Sequence, residues 1–364
     1  MGKLVLIDGH SILNRAFYGV PELTNSEGLH TNAVYGFLNI MFKILEEEKP
    51  DHLAVAFDLK EPTFRHKMYA DYKGTRKPMP QELHEQVPLM QEVLTAMGVP
   101  ILTMAGYEAD DILGTVAKRC QAEGEEVSVV SGDRDLLQLA DTHIKIRIPK
   151  TSRGTTEIHD YYPEDVKREY QVTPTEFIDV KALMGDSSDN IPGVPSIGEK
   201  TATNLIVAYG SIENAYAHLD EVKPPRARKA LEEHYDMAVM SKELAQICIT
   251  CPIPFAYEDA KIENLYTPEA YQYMKRLEFK SILARFDVQE MGGNSVKEHF
   301  WSVEDLSGAE QIFEKARNAE QVGCQLILSE NGVAGLTICI GEEEIYTIPA
   351  AGFLTGSYLC DHLE

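Results

Sequence analysis

The sequence predicts an α/β fold: a mostly parallel central sheet with helices, then a helical half carrying a helix–hairpin–helix-like turn, then a partial α+β tail. Three observations carry this. Short apolar runs alternate with helical stretches through the first half, the pattern of a parallel sheet. Three of those runs end in aspartate. From about Pro163 onward the strand-like runs give way to helix after helix. In order, the expected strands are Leu4–Ile7, Leu53–Phe57, Val99–Thr103 and Val127–Val130, with helical periodicity at Val34–Leu45 and Val87–Met97. The helical half supplies Phe177–Met184, Ala202–Tyr209, Ile212–Leu219, Arg226–His234, Met237–Gln246 and a last helix, Pro268–Phe279. The run MGGNS at Met291–Ser295 reads as a linker. The tail offers a helix at Ala309–Asn318 and strands at Gly323–Leu328, Val333–Ile340 and Glu344–Ile348. The domain reading is therefore a catalytic α/β core over 1–190, a helical region over 191–290, a linker over 291–295 and an incomplete domain over 296–364.

At 364 residues and 44% hydrophobic, the chain can bury two or three cores. No apolar run approaches the roughly 20 residues of a membrane span. The opening MGKLVLIDGH reads as a first strand rather than a signal peptide. Six cysteines are scattered, and only Cys248 and Cys251 are close. A lone CxxC is a poor zinc signal, and reduced thiols are expected in a cytoplasmic protein. The net charge of −24 argues at first against a nucleic-acid partner. Its distribution argues otherwise. Residues 291–364 hold 12 acids against 3 bases. By contrast, Lys60–Lys77, KEPTFRHKMYADYKGTRK, is rich in Lys and Arg and could steer a phosphate backbone.

The acids form a constellation. Asp8 follows LVLI, Asp58 follows LAVAF, and Asp133 and Asp135 follow VSVVSG. In a parallel sheet the carboxyl ends of strands share the edge where ligands bind. Glu108, Asp110 and Asp111 follow the third strand and open an amphipathic run, and Asp186 and Asp189 follow the helix ending near Met184. Any one of these could be a turn or N-cap residue, and the Glu108 group could merely favour a helix N-terminus. Jointly they repel one another unless cations lie among them or some are protonated. Oxygen ligands with no His or Cys cluster point to Mg²⁺ or Mn²⁺. Two such ions about 3.5–4 Å apart would suit in-line phosphodiester hydrolysis without a nucleophilic side chain.

Two elements look made for DNA. In Ile191–Ala202, IPGVPSIGEKTA, Gly193 and Gly198 flank a tight turn and a new helix offers free amides, a hairpin that grips backbone phosphates without reading bases. In the basic stretch, Phe64, Tyr69 and Tyr72 interleave with Arg65, Lys67, Lys73, Arg76 and Lys77, so rings could stack on unpaired bases while cations hold phosphates. A second patch, Lys223–Lys229, reads as a solvated helix start.

The motifs LIDGHSILNRAFY, FDLKEPTFRHKMYADYKGTR, GYEADDILG, SGDRDLLQL and GDSSDNIPGVPSIGEKTA, in that order, resemble the 5′-nuclease (flap endonuclease) family, in the form that opens bacterial DNA polymerases. The resemblance covers about residues 1–290. It implies a PIN-like α/β core that cleaves DNA at 5′ ends as exonuclease and flap endonuclease, in primer removal, replication and repair. It assigns metal ligation to Asp8, Asp58, Glu108, Asp110, Asp111, Asp133, Asp135, Asp186 and Asp189. Arg15, Lys73 and Arg76 would be catalytic, with Arg65 and Tyr72 also on DNA. Lys60–Lys77 would form a helical arch admitting the single-stranded 5′ end. Gly193, Val194, Ser196, Gly198, Lys200 and Thr201 would hold the duplex, often with a monovalent cation. The implied partners are 5′ flaps, nicked or gapped duplexes and RNA primer ends, bound by a monomer in the bacterial cytoplasm near the nucleoid. Residues 296–364 resemble the start of a 3′–5′ exonuclease domain. That domain needs a D-x-E pair on its first strand, but here only Glu330 lies near the end of GCQLILSEN, so the tail is expected to be inactive. Three other readings stand beside this one: a PIN-type ribonuclease, which leaves the hairpin unexplained; a non-catalytic DNA-binding module; and a small-molecule phosphatase, which leaves the basic segment unexplained.

Overall fold

Leu4, Val5 and Leu6 in the run KLVLID are fully buried, and a strand buried on both faces belongs inside a parallel sheet. Accordingly β1 (Lys3–Asp8) pairs in parallel with β2 (His52–Ala56) on one side and β4 (Glu126–Val130) on the other, Leu4 facing His52 and Val127. β3 (Ile101–Leu102) flanks β2, β5 (Ile144–Ser152) flanks β4, and β6 (Thr155–Tyr161) returns antiparallel along β5. The order is β3-β2-β1-β4-β5-β6. The computed structural model describes residues 2–152, 155–286, 300–319, 321–329, 332–341 and 344–363. The expected linker Met291–Ser295 and Glu330 lie outside them. No described helix is long and apolar enough to cross a membrane.

Between the strands run α1 (Gly9–Gly19), α2 (Asn32–Glu48), the short α3 (Phe64–Met68), α4 (Gln81–Ala96) and α5 (Ala109–Ala122). Asp8 ends β1 and caps α1, its carboxylate accepting from the Ser11 amide at 3.0 Å. α4 begins six residues before the expected Val87 and runs through Pro88. Its end reaches into the expected third strand: the Val99 amide still bonds the Leu94 carbonyl, so only Ile101 and Leu102 pair.

β5 and β6 went unread in the sequence because lysine and arginine break the apolar pattern of IKIRIPKTS. Those cations are in fact neutralised inside. Arg147, 5% exposed, lies 2.8 Å from each of Glu47, Glu48 and Asp160, and Lys145 lies 2.6 Å from Glu48. Burial alone would raise the Glu48 carboxyl, and these cations hold it below its ordinary range.

The helical half comprises α6 (Pro163–Tyr170), α7 (Pro174–Met184), α8 (Glu199–Tyr209), α9 (Ile212–Ala217), α10 (Pro225–Glu233), α11 (Tyr235–Ala245), α12 (Pro268–Arg276) and α13 (Lys280–Leu283). It shares one core with the sheet half: Leu136 and Leu139, in the 3₁₀ turn Asp135–Leu139, belong to the same buried cluster as Leu183, Leu205 and Ile206. Met1–Leu283 is accordingly one compact unit, and residue 190 marks no break in packing. The second unit, Ala284–Glu364, holds β7 (Phe300–Ser302), β8 (Val322–Ser329), β9 (Gly332–Ile340) and β10 (Glu344–Pro349) in the order β7-β10-β9-β8. Helices Leu306–Arg317 and Gly356–Asp361 complete it around Phe313, Leu336 and Ile348. β7 and the helix Gly356–Asp361 add to the three strands and one helix expected.

Backbone hydrogen bonds close the base of the loop bearing Asp186 and Asp189. Asp186 and Ile191 exchange both amide hydrogen bonds, at 2.9 and 2.8 Å, and the Val194 amide bonds the Leu183 carbonyl. Gly193 has φ +64°, and a Cβ there would fall 2.4 Å from the Gly185 nitrogen. Gly193 and Val194 are both buried, so these two positions expected on DNA serve this closure instead. Gly193→Ala should therefore destabilise the protein by about 1–3 kcal/mol, from strain at a left-handed position and a backbone clash. An unchanged melting temperature would show that the two glycines are not in contact.

Candidate active site at the carboxyl edge of the sheet

Four parallel strands each lead to an acid at one edge. Asp8 ends β1, Asp58 lies two residues past β2, Glu108 and Asp110 sit at the start of α5 after β3, and Asp133 lies three past β4. These five line one cavity of about 780 Å³. Within it, burial pushes the Asp8 carboxyl up to about 6, with the charges of Asp58 and Asp133 adding to the rise. Hydrogen bonds from the Ser11 amide and the Ser131 hydroxyl (2.8 Å) oppose it. Asp110 is raised well above its ordinary range, by burial first and then by Asp8, Asp133 and Asp58, against which Lys73 is the opposing charge. Asp58 goes the other way. Burial would raise it, but His10 Nδ1 at 3.5 Å and the Ala109 amide at 2.8 Å hold it down.

A second group of acids is already neutralised. Lys181, in the last turn of α7, reaches both Asp135 at 2.8 Å and Asp186. With Ser188 also donating to it, Asp186 falls to about 2 despite burial. Burial and Asp133 nonetheless raise Asp135 to about 6. Lys73 bonds Glu108 at 2.7 Å and lies 3.9 Å from Asp189, which Arg76 also pairs. Neither Lys181 nor His10 was picked out from the sequence. The available signals were their spacings, five residues before Asp186 and two after Asp8.

The third arrangement corrects several expectations. Arg65 is 2% exposed. Its guanidinium donates to both oxygens of Asp111 at 2.8 Å, to Glu108 at 3.2 Å, and to the carbonyls of Leu244 and Gln246. Asp111, with no exposed surface, also accepts from the Glu108 and Cys248 amides. Every donor and acceptor is used inside the fold, so Arg65 does not reach DNA and Asp111 does not reach a metal. Tyr72 is buried too, its hydroxyl donating to Glu108 at 3.0 Å and Asp189 at 3.1 Å, so it presents no stacking face. The segment expected as an arch is one short helix, α3, followed by turns.

Among the described residues no three His, Cys, Asp or Glu side chains stand close enough to hold a metal ion as they are. The donors nonetheless fit a hard cation in kind. They are carboxylate oxygens, and burial together with the charges of neighbouring acids makes Asp8 and Asp110 resist ionisation. Arg15 stands next door. Its Nε is buried without a partner beside a shallower cavity of about 500 Å³ that shares Ser11 and Asn14 with the first. Of the hairpin positions, Ser196, Gly198 and Lys200 are exposed and Thr201 half-buried. Gly198 caps α8, and Arg226 donates to the Ser196 hydroxyl at 2.9 Å.

Two family models match this chain in succession. Residues 3–171 match the 5′-3′ exonuclease N-terminal resolvase-like domain, and residues 172–267 match the 5′-3′ exonuclease C-terminal SAM fold. The chain is 47% identical over 285 residues to a DNA polymerase I of Bacillus caldotenax, covering 78% of this chain and 32% of that one. To the DNA polymerase I of Bacillus subtilis it is 42% identical over 351 residues, covering 95% and 39%. The chain thus spans about a third of the length of these relatives. A bacteriophage T5 flap endonuclease, crystallised as a pseudo-enzyme–product complex with DNA and metal ions, shares the fold with a TM-score of 0.57 at 22% identity, covering 76% of this chain and 99% of that one.

Two outcomes follow from the charges. Arg65→Met leaves Asp111 buried without its cation and should cost about 3–5 kcal/mol. A variant with wild-type melting temperature and weaker DNA binding would return Arg65 to the DNA surface. Asp8 has its folded pKa raised to about 6, so its ionisation costs stability as pH rises from about 4 through 6, and that loss persists above. Asn keeps the cap and removes the charge. Asp8→Asn in chelator at pH 7.5 should therefore melt several degrees higher than wild type, a gain of about 2–3 kcal/mol that vanishes near pH 4. A gain that persists at pH 4 would exclude charge as its source.

Proposed function

Because the chain belongs to the 5′-3′ exonuclease family, we propose that it hydrolyses phosphodiester bonds of DNA at 5′ ends and 5′ flaps, with Mg²⁺ or Mn²⁺ held at the carboxylate cavity. The observation that carries this reading is the group Asp8, Asp58, Asp110 and Asp133 facing one cavity, Asp8 and Asp110 with raised carboxyls, and Lys73 and Arg76 on its rim. Asp8, Asp110 and Asp133 would hold the metal, with Asp135, Asp186 and Asp189 available to a second ion where Lys181 and Arg76 yield. When bound, such an ion supplies an activated water and charge stabilisation on the leaving oxygen.

The chain's own groups do the rest. Lys73 and Arg76, moving from Glu108 and Asp189, would each offer a donor to the non-bridging oxygens of the scissile phosphate. Arg15 would hold a neighbouring phosphate from the adjoining cavity, its unpartnered Nε answered there. His10 keeps Asp58 ionised. The exposed turn at Ser196 and Gly198, the free amides opening α8 and Lys200 suit the duplex backbone, with carbonyls of the same turn available to a monovalent cation. Substrates would be flapped, nicked or gapped duplexes and RNA primer ends, bound by a monomer in the bacterial cytoplasm. In the second unit, β8 reads VGCQLILS without an acid, which supports an inactive, exonuclease-like tail.

The test is cleavage of a 5′-flapped duplex with and without Mg²⁺, on the wild type and on Asp133→Asn. Chelation should abolish cutting, and the substitution should lower kcat by about 100-fold or more with Kd for the duplex changed less than about threefold. Equal losses in kcat and affinity would contradict the separation of metal site and duplex grip.

A further inference from the structure

Lys73 and Asn190 both have φ +56°. That is the left-handed region, unfavourable for a residue with a Cβ. Asparagine tolerates it better than most, and a lysine there needs neighbours that fix it. Local turns supply part of the hold. The Tyr72 amide bonds the Tyr69 carbonyl at 3.0 Å, the Gly74 amide the Asp71 carbonyl at 2.9 Å, and the Arg76 amide the Lys73 carbonyl at 3.1 Å. The rest comes from the loop bearing Asp186 and Asp189. The Lys73 amide donates to the Asp189 carbonyl at 2.8 Å. The Asn190 side-chain amide donates to the Asp71 carbonyl at 2.7 Å, across 119 residues of chain. Arg76 Nε donates to the Ser188 carbonyl at 3.3 Å. Tyr72 and Ile191 also share a small buried cluster.

These bonds differ in what they survive. The ion pairs of Lys73 with Glu108 and of Arg76 with Asp189 break when the two cations turn to a phosphate. Arg76 Nε leaves Ser188 in the same movement. The Tyr72 hydroxyl reaches the loop only through an Asp189 carboxylate oxygen, which a metal ion would claim. The Lys73 amide and the Asn190 side chain depend on neither event. We propose that Asn190 is a positioning residue, whose side chain pins the turn carrying Lys73 and Arg76 to the acid loop while both cations change partners. The proposal rests on the nuclease reading and adds a residue that acts through Lys73 and Arg76 rather than on the substrate. Asn190→Gly isolates the contribution, because glycine keeps the left-handed backbone and removes only the donor.

The experiment compares four full chains on a 5′-flapped duplex with Mg²⁺: wild type, Asn190→Gly, Lys73→Ala/Arg76→Ala, and the triple variant. Rates are read in single turnover. Asn190→Gly should cut about tenfold more slowly, with Kd for the duplex changed less than about twofold and the melting temperature within a few degrees. Added to Lys73→Ala/Arg76→Ala it should cost less than about twofold, because the residues it positions are gone. A full tenfold loss in that background would overturn the proposal, and so would an unchanged rate in the single variant. Amide hydrogen exchange in chelator reads the clamp without catalysis. The glycine variant should exchange faster at the Tyr72, Lys73 and Gly74 amides and keep its protection in the sheet. Unaltered exchange at those amides would count against the clamp. Protection lost throughout the protein would make Asn190 a residue of the fold and overturn its positioning role. If the wild type fails to cut the flap, the nuclease reading fails, and exchange decides the clamp alone.

Discussion

Everything at this site answers to mutual repulsion among carboxylates. Parallel strands must end on a common edge, and the sequence puts an acid at or just after the end of β1, β2, β3 and β4. The fold meets the resulting charge in two ways. Where stability governs, it supplies its own cations: Arg65 under Asp111 and Glu108, Lys181 between Asp135 and Asp186, Arg76 on Asp189. At the cavity it supplies fewer, and Asp8 and Asp110 are left with carboxyls that resist ionisation, Lys73 alone opposing the acids around Asp110. The division is not sharp, because Asp135 shares Lys181 with Asp186 and burial still raises it to about 6.

The same economy explains why the two halves do not separate. Lys181 lies on α7 in the helical half and reaches Asp135 at the start of a sheet-half turn. Arg65 joins α3 and α5 to the carbonyls at the end of α11. Beneath these polar links the apolar core runs on without a seam. A change in the helical half can thus move a carboxylate in the cavity without touching it.

Much of this was legible in the sequence, for a definite reason. An aspartate closing an apolar strand announces its position, because strand direction and sheet edge follow from the fold class alone. Asp110 and Asp111 show where that stops. They are adjacent and chemically alike, yet one faces the cavity and the other faces Arg65, a difference set by a residue 46 positions away in the chain. Arg65 and Tyr72 were misplaced because a basic, aromatic-rich stretch looks exposed until its partners are known. β5 was missed because Lys145 and Arg147 break its apolar pattern, and only Glu48, at the end of α2, shows why they are tolerated inside.

The Arg65 anchor also bears on time. Its guanidinium is held by the carbonyls of Leu244 and Gln246, 179 and 181 residues further along the chain. On a ribosome adding about 5–20 residues per second, those carbonyls are made on the order of 10–40 s after Arg65. Until then the segment carrying Lys73 and Arg76 lacks its buried footing, although Asp8, Asp58, Asp110 and Asp133 have already been synthesised. A nascent chain therefore carries its acids well before it can assemble a site around them.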